Sequence, residues 1–312
     1  MTVAPPGLEA ARVVPASGRS GGAGRSGSVN YLAVPALLFF VAFGVVPLIG
    51  IFYLSFSQWD GIGAIHPAGL GNWRDTLTDP ALRHALWVTF LIMVLSWAVQ
   101  TPAAVLIGAF LAGHQRYREW IAVVYFIPLL FSSAALAITY KGLLDPNFGL
   151  GTGLGISWLS QDWLGGEKLA MGVLIFIVSW QFIPFHALLY QGAIRQIPVS
   201  LYEAAQLDGA GRVRTFFSIT LPTLRYTIVT SSTLMVVGSL TFFDLIWVLT
   251  AGGPGDATRT LALEMYIRGF RGNQMGPASV IAVILVLFGL GLSLLFRRIG
   301  GGSASDSQLE GA

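Results

Sequence analysis

The sequence predicts an all-α integral membrane fold with six transmembrane helices, and three observations carry that prediction. Apolar runs of about 20 residues, enough to cross roughly 30 Å of hydrocarbon, recur along the chain. Only 11% of its residues are charged, where a soluble domain carries about 25%. Its mean hydropathy is +0.70. With no cysteine in 312 residues, disulfides, thiolate metal sites and Cys nucleophiles are excluded. The pI near 9.3 is read as a record of membrane orientation and not of nucleic-acid binding.

Taken in order, residues 1–30 are rich in Gly, Ser, Ala and Pro and include Arg12, Arg19 and Arg25, which reads as a flexible basic tail. The apolar run Tyr31–Phe56 is too long for the core of a secretory signal, and no small-x-small cleavage site follows it, so it is taken as the first span. Residues 57–84 read as a polar loop. The second span, Ala85–Ala112, contains Gln100 and Pro102, and a short basic turn (HQRYRE) follows it. The third span, Trp120–Tyr140, is uncharged. A Gly-, Asp- and Trp-bearing loop leads to the fourth, Leu169–Tyr190, with Trp180, Gln181 and His186. The fifth span is Tyr226–Thr250, with Asp244 inside it, and the sixth is Pro277–Phe296, closed by Arg297 and Arg298 before a Gly/Ser/acidic tail at 299–312. Pro35, Pro47, Pro128, Pro184 and Gly238 interrupt the spans. Such breaks are tolerated where the freed carbonyls find partners in a bundle or line a cavity.

Six spans place both termini on one side. Eleven of the Lys and Arg residues fall on the side of the tails and seven on the other. The tails, and the polar stretch 198–222 between spans four and five, are therefore expected in the cytoplasm.

Several chemistries are missing. Neither Lys141 nor Lys168 follows a G-x-x-x-x-G-K-[ST] loop, so this chain has no P-loop for ATP. The four histidines are scattered, which argues against a metal site, and no defensible Ser/His/Asp set is present. No catalytic residue, metal ligand or cofactor bound by this chain is expected. Asp244 is the one acidic residue well inside a span. A charge there costs at least about 2.5 kcal/mol, which makes it a functional candidate. Its plainer reading is a carboxylate near the outer end of the span that reaches water or a partner hydroxyl. A proton-coupled carrier needs a relay of such groups, and one aspartate weakens that alternative, a stand-alone secondary solute carrier.

Residues 198–222 read PVSLYEAAQLDGAGRVRTFFSITLP. Ser200 and Glu203 have the spacing of a capping box. Leu201–Asp208 then make about two helical turns, with Gly209 and Gly211 as the stop. A helix this short does not fold alone and must dock on something.

Glu203-Ala204-Ala205, three residues, Gly209, nine residues, then Ile219-Thr220-Leu221-Pro222 is similar to the EAA loop of binding-protein-dependent ABC importer permeases. Phe242–Thr258 resembles the corresponding outer helix end of the first permease of maltose-type sugar importers, and Gly69–Pro80 resembles the first outer loop of carbohydrate permeases. The resemblance covers about residues 31–298 and implies the type I ABC importer permease fold in a bacterial inner membrane. It implies a non-enzymatic transport subunit that forms half of a pathway for a di- or oligosaccharide. The implied partners are a second homologous permease, two ATPase subunits that hold ATP and Mg, membrane lipid, and a lipid-anchored or periplasmic sugar-binding protein. Glu203, Ala204, Ala205, Asp208 and Gly209 would form the coupling helix and its exit against the ATPase. Substrate-binding positions carried over from the maltose-type subunit fall on Gln181, Phe182, Phe185, Met235, Gly238 and Ser239. The chain departs from that subunit in having six expected spans, not eight, and no large inserted outer domain.

Overall fold

The computed structural model describes residues 26–113 and 115–299, with side chains described from residue 33 onward. Residues 1–25 and 300–312 of the two expected tails, and His114 of the basic turn, lie outside the described residues. The chain divides into two units, 1–49 and 50–312.

In the first unit α1 (Ser26–Phe40) takes in the last residues assigned to the tail and passes through a π turn, Val41–Val45, into α2 (Val46–Leu54). The stretch Ala33–Leu54, which runs past the boundary of the two units, is long and apolar enough to cross a membrane.

In the second unit the expected loop 57–84 is structured. β1 (Ser57–Gln58) pairs antiparallel with β2 (His66–Pro67), and α3 (Gly71–Thr78) follows. The buried Asn72 amide donates to the carbonyls of Ser55 (3.1 Å) and Ser57 (2.8 Å), tying α3 to the hairpin. α4 (Pro80–Leu111) begins five residues before the expected span. Its cap explains the early start. Asp79 accepts from the Ala81 amide at 2.8 Å, and Pro80 occupies the first turn, where its missing N–H costs nothing.

The third span is the first correction. It is not one helix but α5 (Arg116–Phe126), a 3-10 turn (Ile127–Leu130) and α6 (Ser133–Leu143), bent by 95°. Pro128 enters the tight turn, Phe131 is extended, and Ser132 caps α6 by accepting from the Ala135 amide at 3.2 Å. A new cap directly after a proline restarts the chain in a new direction. α7 (Leu150–Leu154) lies in the next loop, and α8 (Glu167–Arg195) carries an acid in its first turn and a base in its last, both favourable to the helix dipole.

α9 (Val199–Leu207), α10 (Arg212–Thr215), a π turn (Phe216–Thr220) and α11 (Leu221–Thr223) make up the stretch between spans four and five. The fifth span is the second correction. α12 (Arg225–Ser239) ends at Ser239, and the chain resumes as α13 (Asp244–Leu249). The hydroxyls of Ser239 and Thr241 donate to the carbonyls of Val236 (2.7 Å) and Gly238 (2.8 Å), so side chains take up acceptors where α12 stops. α14 (Leu261–Tyr266) and a π turn (Ile267–Arg271) occupy the last expected loop, and α15 (Met275–Ile299) is the final long apolar helix. Among the described residues, four helices are long and apolar enough to span, or five with the bent α5–α6 pair. Neither segment of the expected fifth span qualifies alone.

The bundle is built on the seam between α4 and α8. A side chain at Gly108 would stand 2.8 Å from the Ala187 carbonyl oxygen and from the Tyr190 Cβ, so only glycine permits this approach. Ala104, Val105, Ile183, Ala187, Tyr190 and Leu224 form the core at the α9 end of this seam. Val88, Ile92, Leu136, Ile177, Ile246 and Leu249 form the next layer. Leu82, Ala85, Leu261, Val280 and Ile281 pack α4 against α14 and α15 at the far end. There Glu264, 1% exposed, accepts from Arg259 and Arg268, each at 2.6 Å, and Arg268 also pairs with Asp79. The Ala81 amide holds the Asp79 carboxyl below its ordinary pKa; partial burial opposes this and Arg268 adds to it.

Candidate functional site

Two features answer the candidates read from the sequence: a cavity beside the break between α12 and α13, and the short helix α9.

The cavity has a volume of about 480 Å³ and is lined by α4, α6, α8, α12 and the segment leading into α13. Phe182, Phe185 and His186 share one face of α8, spaced three and four residues apart. Phe182 stacks on Phe242 at 5.8 Å between ring centres. Met235 and Gly238 contribute the α12 wall, and the exposed Asp244 stands at the start of α13. Four of the six expected substrate positions, Phe182, Phe185, Met235 and Gly238, thus meet in one cavity, and Asp244 joins them.

Gln181 and Ser239 do not line it. Gln181 is buried; its Nε2 donates to the Phe131 carbonyl at 3.1 Å and its Oε1 accepts from the Ser133 hydroxyl at 3.4 Å. It clamps the α5–α6 bend. Ser239 is buried and occupied by its bond to the Val236 carbonyl. Both polar groups are taken up by breaks in helices, which the sequence did not place.

The cavity also holds residues that sequence reasoning left unassigned. Ser96, Gln100, Ser133 and Thr241 put hydroxyl and amide groups on the wall. The Ser96 hydroxyl is buried with no protein partner, and His186 Nδ1 meets the Ser231 hydroxyl at 2.9 Å. A usable signal for the first pair was present: Ser96 and Gln100 are four apart in an apolar run, so they share a helix face. Aromatic faces combined with a few convergent polar groups are suited to orienting a polar organic solute.

At the other end of α8, the chain turns into α9. The expected capping box does not form. The helix starts two residues early, with Pro198 at the cap position and no side-chain cap, so Ser200 lies inside the first turn and Glu203 is exposed. Pro198 displaces it because its ring presets the helix entry and removes an amide that would otherwise need a partner. The expected exit does form. Asp208 is the C-cap, and Gly209 adopts φ +72°, in the left-handed region. The Gly209 amide donates to the Gln206 carbonyl (3.0 Å) and the Ala210 amide to the Ala205 carbonyl (2.8 Å), which is the Schellman pattern. Ala205 is buried against the bundle, while Ala204 faces outward. Tyr202 and Thr220 share a hydroxyl–hydroxyl bond at 3.1 Å, which joins α9 to the π turn behind it. Val199, Leu207, Val213 and Phe217 remain exposed around this segment.

Comparisons with known proteins agree with this arrangement. A family model described as "Binding-protein-dependent transport system inner membrane component" matches residues 102–301. The chain is 32% identical over 274 residues to the probable ABC transporter permease protein YurN of Bacillus subtilis, covering 86% of this chain and 94% of the relative. It is 30% identical over 262 residues to the multiple sugar-binding transport system permease protein MsmF of Streptococcus mutans, covering 83% and 89%. A chain of a bacterial ABC transporter involved in the import of the acidic polysaccharide alginate shares the fold, with a TM-score of 0.76 at 21% identity over 88% of this chain and 94% of that one. The all-α architecture is that of the type I ABC importer permeases. The chain is a multi-pass membrane protein and belongs to the family of inner membrane components of binding-protein-dependent transport systems.

Proposed function

We propose that this chain forms half of the translocation pathway of an ATP-driven importer for a di- or oligosaccharide. The observation that carries the reading is the pairing of one cavity with one lever. α8 lines the aromatic, polar-edged cavity and leads directly into α9, the Schellman-capped helix with apolar side chains exposed around it. Relatives named for sugar, diacetylchitobiose, arabinooligosaccharide and trehalose/maltose transport support a carbohydrate as the solute.

In this reading a second, homologous permease completes the pathway, and two ATPase subunits bind ATP and Mg and supply the energy. α9 lies in a cleft of one ATPase, with Glu203, Ala204 and Asp208 outward, Ala205 holding the helix to the bundle and Gly209 setting its exit. Both termini are cytoplasmic. An extracytoplasmic sugar-binding protein, periplasmic or lipid-anchored, delivers the solute. Phe182 and Phe185 supply ring faces to it, Met235 and Gly238 shape the opposite wall, and Asp244 borders the path at the helix break. Gln181 and Ser239 act through the backbone breaks they stabilise.

The test is co-purification in detergent with the partner ATPase. Glu203→Lys and Gly209→Asp are expected to abolish the association while the protein still inserts in the membrane. Retained association together with retained substrate-stimulated ATP hydrolysis in both variants would sink the proposal.

A further inference from the structure

A second cavity, of about 500 Å³, lies behind the coupling segment and is separate from the translocation cavity. Three arginines from three different elements line it: Arg118 of α5, Arg195 at the end of α8 and Arg212 at the start of α10. No carboxylate lines it among the described residues. Arg118 donates to the Phe110 carbonyl and Arg195 to the Leu111 carbonyl (3.4 Å), so both guanidinium groups are held by the C-terminal end of α4. Each guanidinium has five N–H donors, and these bonds leave others for a ligand. Gln206 of α9 adds an amide to the same wall. At the far end of the bundle, half-buried Arg259 and Arg268 are matched by Glu264. Around this cavity Arg118 is half-buried and Arg195 and Arg212 are exposed, and none of the three is ion-paired to a described residue.

Tyr117 and Trp120 are exposed on α5 next to Arg118, with Trp120 75% exposed. Exposed Trp and Tyr at a helix end mark the level of lipid headgroups. A basic pocket between membrane helices at that level has the chemistry to take a phosphate-bearing headgroup. Guanidinium groups match phosphate oxygens in geometry as well as in charge.

We propose that this cavity is a phosphate-group site that joins α5, the end of α8 and the coupling segment, and that an anionic phospholipid headgroup or a soluble phosphate supplies the group. Either occupant would bridge Arg118 on one side of the coupling helix to Arg212 beyond it, and would set how freely that helix moves.

The experiment uses the full chain, delipidated in detergent and titrated with phosphatidylglycerol or phosphatidylcholine under native mass spectrometry. The wild type is expected to prefer phosphatidylglycerol by about fivefold, and Arg212→Gln to lose that preference. Arg214→Gln is the control: it removes the same charge two residues away, outside the cavity, and is expected to keep the preference. Displacement of phosphatidylglycerol by inorganic phosphate, but not by chloride at matched ionic strength, assigns the soluble anion as an occupant; persistence of the lipid assigns the headgroup. The same binding by wild type and Arg212→Gln overturns the proposal, as does an equal loss in Arg214→Gln.

Discussion

Ser96 hides a hydroxyl in the wall of the cavity beside the α12–α13 break, with no group of the described protein to bond. An unsatisfied buried hydroxyl costs about 1–3 kcal/mol, and one in a cavity wall can be completed by a bound solute. Ser96→Ala is therefore expected to raise the thermal stability of the detergent-solubilised protein slightly while reducing transport by a few-fold to about tenfold, the worth of one hydrogen bond. Unchanged uptake in the assembled transporter would remove Ser96 from the pathway. Gly209 stands at the opposite extreme, since its backbone conformation, not a side chain, ends α9. A left-handed φ costs other residues roughly 1–2 kcal/mol, and in this chain that conformation completes both bonds that end α9. Gly209 was legible from sequence because few residues tolerate that conformation. Ser96 carried only its four-residue spacing to Gln100, which puts both on one helix face but does not say what that face meets.

At the scale of the elements, the cap of α4 carries a pH dependence. Asp79 binds both the Ala81 amide and Arg268, and its carboxyl is held below its ordinary pKa. A depressed folded-state pKa contributes stability above the unfolded value, and that contribution disappears as pH falls through the folded one. Asp79→Asn keeps an N-cap but loses the ion pair. The variant is expected to melt below the wild type at neutral pH and to converge with it only as pH falls through the depressed folded-state pKa of Asp79, below the ordinary carboxylate range, where the wild-type carboxyl is protonated too. Parallel melting curves across that range would show that Asp79 acts as a cap alone. The long apolar helices α4, α8 and α15 were read to within five residues at each end, because hydropathy reports them directly. The breaks in spans three and five were not. Pro128 and Gly238 were marked as interruptions, but the size of a bend depends on what takes up the freed backbone. That was Ser132, Ser239 and Thr241 locally, and Gln181 from another helix. The capping box at Ser200 failed for a related reason: the helix began at the proline ahead of it.

At the scale of the bundle, the α4–α8 seam connects the cavity level to the segment that holds α9. Gln191 and Arg195 of α8 both donate to the Leu111 carbonyl at the end of α4, just below the point where Gly108 lets the helices meet. Gly108→Leu would drive a side chain into the Ala187 carbonyl and the Tyr190 side chain. It is expected to cost about 1–3 kcal/mol or more, the range seen when packed interiors are overfilled, and to abolish the monodisperse peak in size-exclusion chromatography. A folded, coupled Gly108→Leu protein would mean that the two helices can separate without loss. The side-by-side placement of Phe182, Phe185, Met235 and Gly238 belongs to this scale as well. Spacing along α8 was readable from the sequence, but the convergence of α8 with α12 and α13 depends on the broken fifth span.

The bond from Gln181 to the Phe131 carbonyl also has a consequence in time. Its two partners are 50 residues apart, so the ribosome delivers the bend well before it delivers the amide that satisfies it. A carbonyl left unpaired in hydrocarbon costs several kcal/mol. The α5–α6 bend is therefore expected to be satisfied only once α8 arrives, with the third and fourth spans entering the bilayer as a pair.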